Sequence, residues 1–250
     1  AGIEIENSRH VLVEGNVARN NTGGILVFIT PGLPIKSSYD AIVRRNFITN
    51  NNTPNFAIPG SLVAGIPSGT GILVMSGDKV VIEDNIITGN NTGGIIVTSG
   101  DFVTEVASDK DSDPHSDEVM IRNNVMFDNG NDPDGEMKLL MLSKFSTKGP
   151  DILAYQSATA KERGSCISRR EAYRSYGLDD WADCDAPTVR AADAVTSAQE
   201  ISTTRQLITK MLPVPAEPRV ITVDADGAEV VYNGICAGCH AYNVRLIGPP

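Results

Sequence analysis

The chain has 250 residues, room for one large domain or two small ones around a sizeable core. Its formal net charge of −10 repels phosphate backbones and argues against a sequence-independent nucleic-acid binder. A hydrophobic content of 41% excludes a disordered chain, and the lack of any run of 18 apolar residues excludes a spanning helix. Gly is abundant and aromatics are only 5%, a balance that favours repetitive β-structure over a helical bundle.

Residue 1 opens directly into AGIEIENS, without the basic, apolar and small-residue segments of an export signal. Either a signal was removed or the sequence begins inside a longer protein, and the repeats that follow favour the second. Four segments align without gaps: VLVEGNVARNN from Val11, AIVRRNFITNN from Ala41, VVIEDNIITGN from Val80 and VMIRNNVMFDN from Val119. Apolar residues alternate at the start of each, which predicts a short strand. Asn16, Asn46, Asn85 and Asn124 occupy one position; Asn21, Asn51, Asn90 and Asn129 occupy another five residues later. These pairs mark turns, because Asn tolerates left-handed backbone.

A second motif alternates with the first, as GIEI, GILV, GILV and GIIV from Gly2, Gly24, Gly71 and Gly94. Its spacing of 22 to 23 residues, where no loop intervenes, predicts one coil of a parallel β-helix. Stacked Val and Ile then form apolar ladders and stacked Asn form amide ladders, so the repeated Asn are read as structural. A solenoid end needs cover, and the first strand has none before it in sequence, so further coils or a cap are expected ahead of residue 1. Inserts at about 30–40, 53–68 and 98–117 are expected to build a surface on one side.

The acidity is concentrated. Residues 101–136 hold eleven acids against Lys110 and Arg122, a local charge of −9 that accounts for most of the total. Asp109, Asp111, Asp113 and Asp117 alternate in SDKDSDPHSDE. Ca²⁺ takes several carboxylates, but the glycine and terminal glutamate of an EF-hand loop are not in register, so a solvated acidic loop is the better reading. His115 there reads as a surface residue, and His10 is expected to face solvent. No Ser/His/Asp constellation, phosphate loop or His-Glu-x-x-His occurs.

The repeats stop in the turn cluster NGNDPDG, residues 129–135. EMKLLMLSKF from Glu136 predicts a last strand or a capping segment. Residues 160–182 carry helix formers without clear periodicity, and 188–212 predict a helix or two. MLPVPAEP from Met211 is a semi-rigid linker. The domains expected are a β-helix over 1–155, a cap and linker over 156–218, and a final segment over 219–250.

Four cysteines carry the strongest chemical signal. Cys236 and Cys239 stand in Cys236-Ala237-Gly238-Cys239-His240, the attachment pattern of c-type haem. Two thiols must reach the two vinyl groups of one porphyrin, and the adjacent His240 must place a ring nitrogen on the iron. A thioredoxin-like pair lacks its βαβ context. A zinc site would need two more ligands, and Cys166 and Cys184 are far away. A disulfide within so short a loop would be strained. Covalent haem attachment takes place outside the cytoplasm, where disulfides persist, so Cys166 and Cys184 are the candidate pair, against two buried thiols. Their bridge would stabilise the fold by about 3 kcal/mol.

Residues 228–250, with VVYNGICAGCHAYNVRLIGPP, resemble the opening of a class I cytochrome c. The resemblance implies thioether bonds at Cys236 and Cys239, His240 as the proximal ligand of the haem iron, and Pro249, beside Pro250, orienting His240 through a backbone carbonyl. It breaks further on: the family supplies a Met as sixth ligand after the attachment motif, and no Met follows Cys239. The sequence therefore reads as cut at both ends, inside a solenoid and inside a cytochrome. Residues 1–155, with GIEIENS, NNTGGILVF, NNNTPNFA, GTGILVM and NGNDPDGE, resemble a family of exported right-handed parallel β-helix repeat proteins found beside, or fused to, redox proteins. No catalytic set from β-helix lyases, hydrolases or epimerases maps onto positions here.

The fold class expected is all-β: a right-handed parallel β-helix, then a mixed or helical cap-linker and a truncated α-helical cytochrome c segment. The leading function is an exported β-helix/cytochrome fusion that binds haem c and transfers electrons, more an electron carrier or redox subunit than a hydrolase or lyase. The β-helix then docks a redox partner, which the acidic loops predict to be basic, or a polysaccharide. The alternatives are a polysaccharide-active enzyme and a non-catalytic glycan- or surface-binding solenoid. The expected location is periplasmic or secreted.

Overall fold

The computed structural model describes residues 1–156 and 164–184. The chain divides into two compact units, 1–55 with 65–197, and 56–64 with 198–250; every strand described lies in the first. The first coil contributes β1 (Ile3–Glu6), β2 (Arg9–Glu14) and β3 (Val17–Arg19). The second contributes β4 (Gly23–Phe28), β5 (Ser38–Arg44) and β6 (Phe47–Thr49), and the third β7 (Thr70–Met75), β8 (Gly77–Glu83) and β9 (Ile86–Thr88). The fourth contributes β10 (Gly93–Thr98), β11 (Met120–Arg122) and β12 (Val125–Phe127). Two shorter coils follow, with β13 (Ile152–Tyr155) and β14 (Cys166–Ile167), then β15 (Ser175–Tyr176) and β16 (Ala182–Asp183).

These strands stack into three parallel sheets. The first runs β1-β4-β7-β10-β13-β15, the second β2-β5-β8-β11-β14-β16 and the third β3-β6-β9-β12. The described part of the chain is thus a parallel β-helix, and two of its sheets continue past residue 155 to Asp183. The boundary expected at 155 falls inside the solenoid. Within 164–182 the helix formers instead make short strands and one 3-10 turn, Arg170–Ala172. Pairing with the coil beneath overrides local helical preference there. Residues 136–145 make no strand either: α2 (Gly135–Ser143) begins at Asp134, whose side chain accepts from the Gly135 N–H, and buries Met137 and Met141. The only other α-helix among the described residues is α1 (Thr104–Ser108).

Apolar alternation drives the stacking. Ile25, Ile72, Ile95 and Ile152 lie in register in the first sheet and are fully buried. Val13, Val43, Ile82, Ile121 and Ile167 lie in register and buried in the second, and Ala18, Ile48, Ile87 and Met126 in the third. Each fully buried Ile contributes about 2 kcal/mol by removal from water. On the outer face of the second sheet Glu14, Arg44, Glu83 and Arg122 fall in line with alternating sign. Arg44 Nε meets Glu14 at 3.1 Å and Arg122 Nε meets Glu83 at 2.7 Å, which favours this register over a slipped one.

The repeated Asn form two ladders inside the bends. Asn46 N–H and Nδ2 both donate to Asn85 Oδ1 at 3.0 Å, and Asn85 treats Asn124 likewise. Each Nδ2 also reaches back to the preceding coil, Asn85 to Val43 O and Asn124 to Ile82 O, both at 2.9 Å. Asn21, Asn51, Asn90 and Asn129 repeat the pattern one bend later. The left-handed residue is not the ladder Asn but the one before it: Gly15, Arg45, Asp84 and Asn123 in one bend, Asn20, Asn50, Gly89 and Asp128 in the other. The strain sits on that residue so that the Asn side chain can turn inward. The glycine at the head of each coil has a matching cause. A Cβ on Gly71 would stand 2.3 Å from Gly94 O and 3.1 Å from Asn90 Nδ2, so the ladder amide occupies the space a side chain would need.

Candidate functional site

The inserts do not share one side. Loops 29–37 and 99–119 leave the bend between the first and second sheets, in the second and fourth coils. Loops 50–69 and 128–151 leave the bend between the third sheet and the next coil. Alternate coils carry them, and the short coil between is bridged in each case. Asp109 in the long insert accepts from Lys36 Nζ at 2.8 Å and from Gly32 N–H at 3.3 Å, which fastens the fourth-coil insert to the second-coil loop. Lys36 holds the Asp109 carboxyl down at about 2. At the other bend Asp134 accepts from the Ser68 N–H at 3.3 Å and donates its own N–H to Thr92 Oγ1 at 2.9 Å.

The long insert rests on the third coil. Asp117 N–H donates to Asp78 Oδ1 at 3.0 Å, and Ser76 Oγ donates to Pro114 O at 2.8 Å. Burial pushes the Asp78 carboxyl up to about 6, with Asp113, Asp117 and Glu118 adding repulsion. Lys79 beside it donates to Tyr39 Oη at 2.8 Å, a bond that raises the ammonium, with Glu118 reinforcing it. Gln156 binds the backbone of Ser116 twice, accepting its N–H and donating to its O. At the outer edge Phe102 of the insert stacks on Tyr155 of β13, with ring centroids 5.0 Å apart and planes 11° apart.

The aspartates weighed for Ca²⁺ are not brought together. Asp109 is taken by Lys36, Asp113 caps the His115 N–H, and Asp117 turns its backbone to Asp78. No group of three or more His, Cys, Asp or Glu side chains converges among the described residues. His115 is half-buried, with Nδ1 3.3 Å from Ser99 Oγ. Ser99 is only 1% exposed, so this contact anchors the insert and offers no accessible nucleophile. His10 is exposed and lies 2.7 Å from Asp40.

The closing coils carry the first cysteine pair. Cys166 and Cys184 are joined as a disulfide with Cα atoms 4.9 Å apart, tying β14 to the residue after β16. Around it, Tyr173 Oη donates to Asn124 O at 2.7 Å, and burial pushes the Tyr173 hydroxyl up to about 12. Asp151 accepts the Arg174 N–H at 3.1 Å, and its carboxyl is raised by burial. A shallow depression of about 630 Å³ is lined by Arg170, Glu171, Trp181, Ala182 and Asp183. Cys236, Cys239, His240 and Pro249 lie outside the described residues, as do the helix expected at 188–212 and the linker from Met211. Among the described residues no helix is long and apolar enough to cross a membrane.

Residues 1–111 match the family model described as a right-handed β-helix region. The match covers the first three coils and enters the insert of the fourth, and it agrees with the parallel stacking of the sheets. No curated protein and no solved structure matches the chain.

Asp78 lies two residues ahead of an aligned repeat segment and carries no flag in the sequence reading. It precedes Asp117 by 39 residues, the same offset that separates Asn85 from Asn124. The Phe102–Tyr155 stack and the Lys36–Asp109 clasp have no such signal, since their separations follow no repeat.

Proposed function

We propose that the chain is a β-helix scaffold carrying a covalent haem c segment for electron transfer in an oxidising, exported setting, periplasmic or secreted. The observation that carries this reading is the motif Cys236-Ala237-Gly238-Cys239-His240. Its donor set suits the group: two thiols two residues apart for thioether bonds, and an adjacent imidazole for the iron. When bound, haem supplies a one-electron couple at the iron. The Cys166–Cys184 disulfide supports the compartment, because c-type attachment and persistent disulfides belong to the same environments. The ladder Asn support a scaffold role for the solenoid, since their amides are consumed by neighbouring coils.

The test is expression of the chain in a host with haem c maturation. The expected result is a haem-staining band that survives denaturation and a reduced visible spectrum of c type. Cys236→Ser with Cys239→Ser should abolish both while leaving the β-sheet circular dichroism intact. A well-folded product without covalent haem would overturn the reading.

A further inference from the structure

Phe102 and Tyr155 form a parallel ring stack that is not sealed into the core. Phe102 is 50% exposed and Tyr155 is 48% exposed. Two stacked rings held half in water present a rigid aromatic face that a planar group can cover. Two elements hold the pair in place. Tyr155 ends β13 and lies in register with Thr98 of β10, while Phe102 ends the 3-10 turn Gly100–Phe102 that opens the long insert. The insert is fastened at Asp109, Ser116 and Asp117, so the platform is set by the fold.

The surroundings decide the occupant. Residues 99–119 contain seven acids and Lys110 as the single Lys or Arg, and Asp111, Asp113 and Glu118 are exposed. The insert folds back on the turn that carries Phe102, where the Gly100 N–H donates to Pro114 O at 2.6 Å, and its acidity disfavours a purely apolar partner and an anionic one. A guanidinium satisfies both halves of the surface: its plane stacks on an aromatic face and its fork bonds carboxylates, which an ammonium does less well. We infer that the Phe102–Tyr155 platform, together with the acidic insert that carries Phe102, is a docking surface for a basic protein face that presents arginine. A patch of this size makes a transient, salt-sensitive contact rather than a permanent interface. This surface lies wholly in the solenoid and does not rest on the haem reading.

The test uses calorimetric titration of the full chain with a short arginine–glycine peptide, its lysine–glycine counterpart of equal charge and a neutral glucan oligomer. The arginine peptide should bind more tightly than the lysine peptide, and binding should weaken on going from low to physiological salt. Phe102→Ala and Phe102→Leu should each weaken arginine-peptide binding about five-fold, whereas Tyr155→Phe should leave it unchanged. Asp111→Asn with Asp113→Asn should weaken both peptides alike and flatten the salt dependence. Equal affinity for the two peptides on the unaltered chain, or insensitivity to Phe102→Leu, would overturn the inference. So would glucan binding without arginine-peptide binding.

Discussion

The middle coils and the closing coils of this solenoid are held by different means. From the second to the fourth coil each donor meets the equivalent residue one coil away, so Asn46, Asn85 and Asn124 serve one another. At the closing coils the repeat is gone and each duty falls to a different side chain. Ser165 Oγ accepts from Val119 N–H, Ser168 Oγ from Asn123 N–H, and Tyr173 Oη supplies Asn124 O. A disulfide then ties strands only two residues long. Repetition supplies partners automatically; where it stops, the backbone needs them one by one.

The sharpest way to break this contrast is at the ladder. Asn85→Ala removes an acceptor used twice by Asn46 and two donors, to Val43 O and Asn124 Oδ1, all in a buried bend. A loss of about 4 kcal/mol is expected in urea unfolding, with Asn16→Ala, at a half-buried rung, costing about 1 kcal/mol. Equal losses at both positions would remove the ladder as the source of stability.

Reduction of the closing staple is expected to be next in size. Cys166→Ser with Cys184→Ser should cost about 3 kcal/mol on the loop-entropy model. Hydrogen exchange should quicken across residues 164–184 while amides of β4, β7 and β10 keep their protection. Uniform loss along the solenoid would show that the two regions are one cooperative unit.

The smallest effect is expected where the long insert rests on the repeat. The folded carboxyl of Asp78 titrates at about 6, above its ordinary value of 3.8, so the folded state holds the proton more tightly than the unfolded state. Stability should therefore rise as pH falls from about 7 toward 4, and the part due to Asp78 is lost as pH climbs through 6. Asp78→Asn keeps an acceptor for Asp117 N–H and should add about 1 kcal/mol at pH 7, discounted for partial exposure, with no gain at pH 4. A variant that follows the unaltered pH profile would place the cost elsewhere.

Much of the coil was legible in sequence because a solenoid writes its contacts at fixed spacing. Aligning Asn16, Asn46, Asn85 and Asn124 already names the rungs, and the GILV segments name the core. The backbone strain was not legible in the same way. Asn was read as the left-handed residue, yet Arg45 and Asp84 adopt that conformation so that the next Asn can face inward. The residues of 164–184 hid their strands because two-residue strands have no period to detect. The haem motif remains a reading from sequence, with Cys236, Cys239 and His240 outside the described residues.

By itself the sequence determined the solenoid, its apolar and amide ladders and the acidity of one long insert, since each is written as local type and spacing. Only the tertiary structure decided how irregular segments meet. It put Lys36 on Asp109, Asp117 on Asp78 and Phe102 on Tyr155, pairs 73, 39 and 53 residues apart. Such meetings depend on which corner of which coil releases each loop, and coil geometry in three dimensions sets that distance.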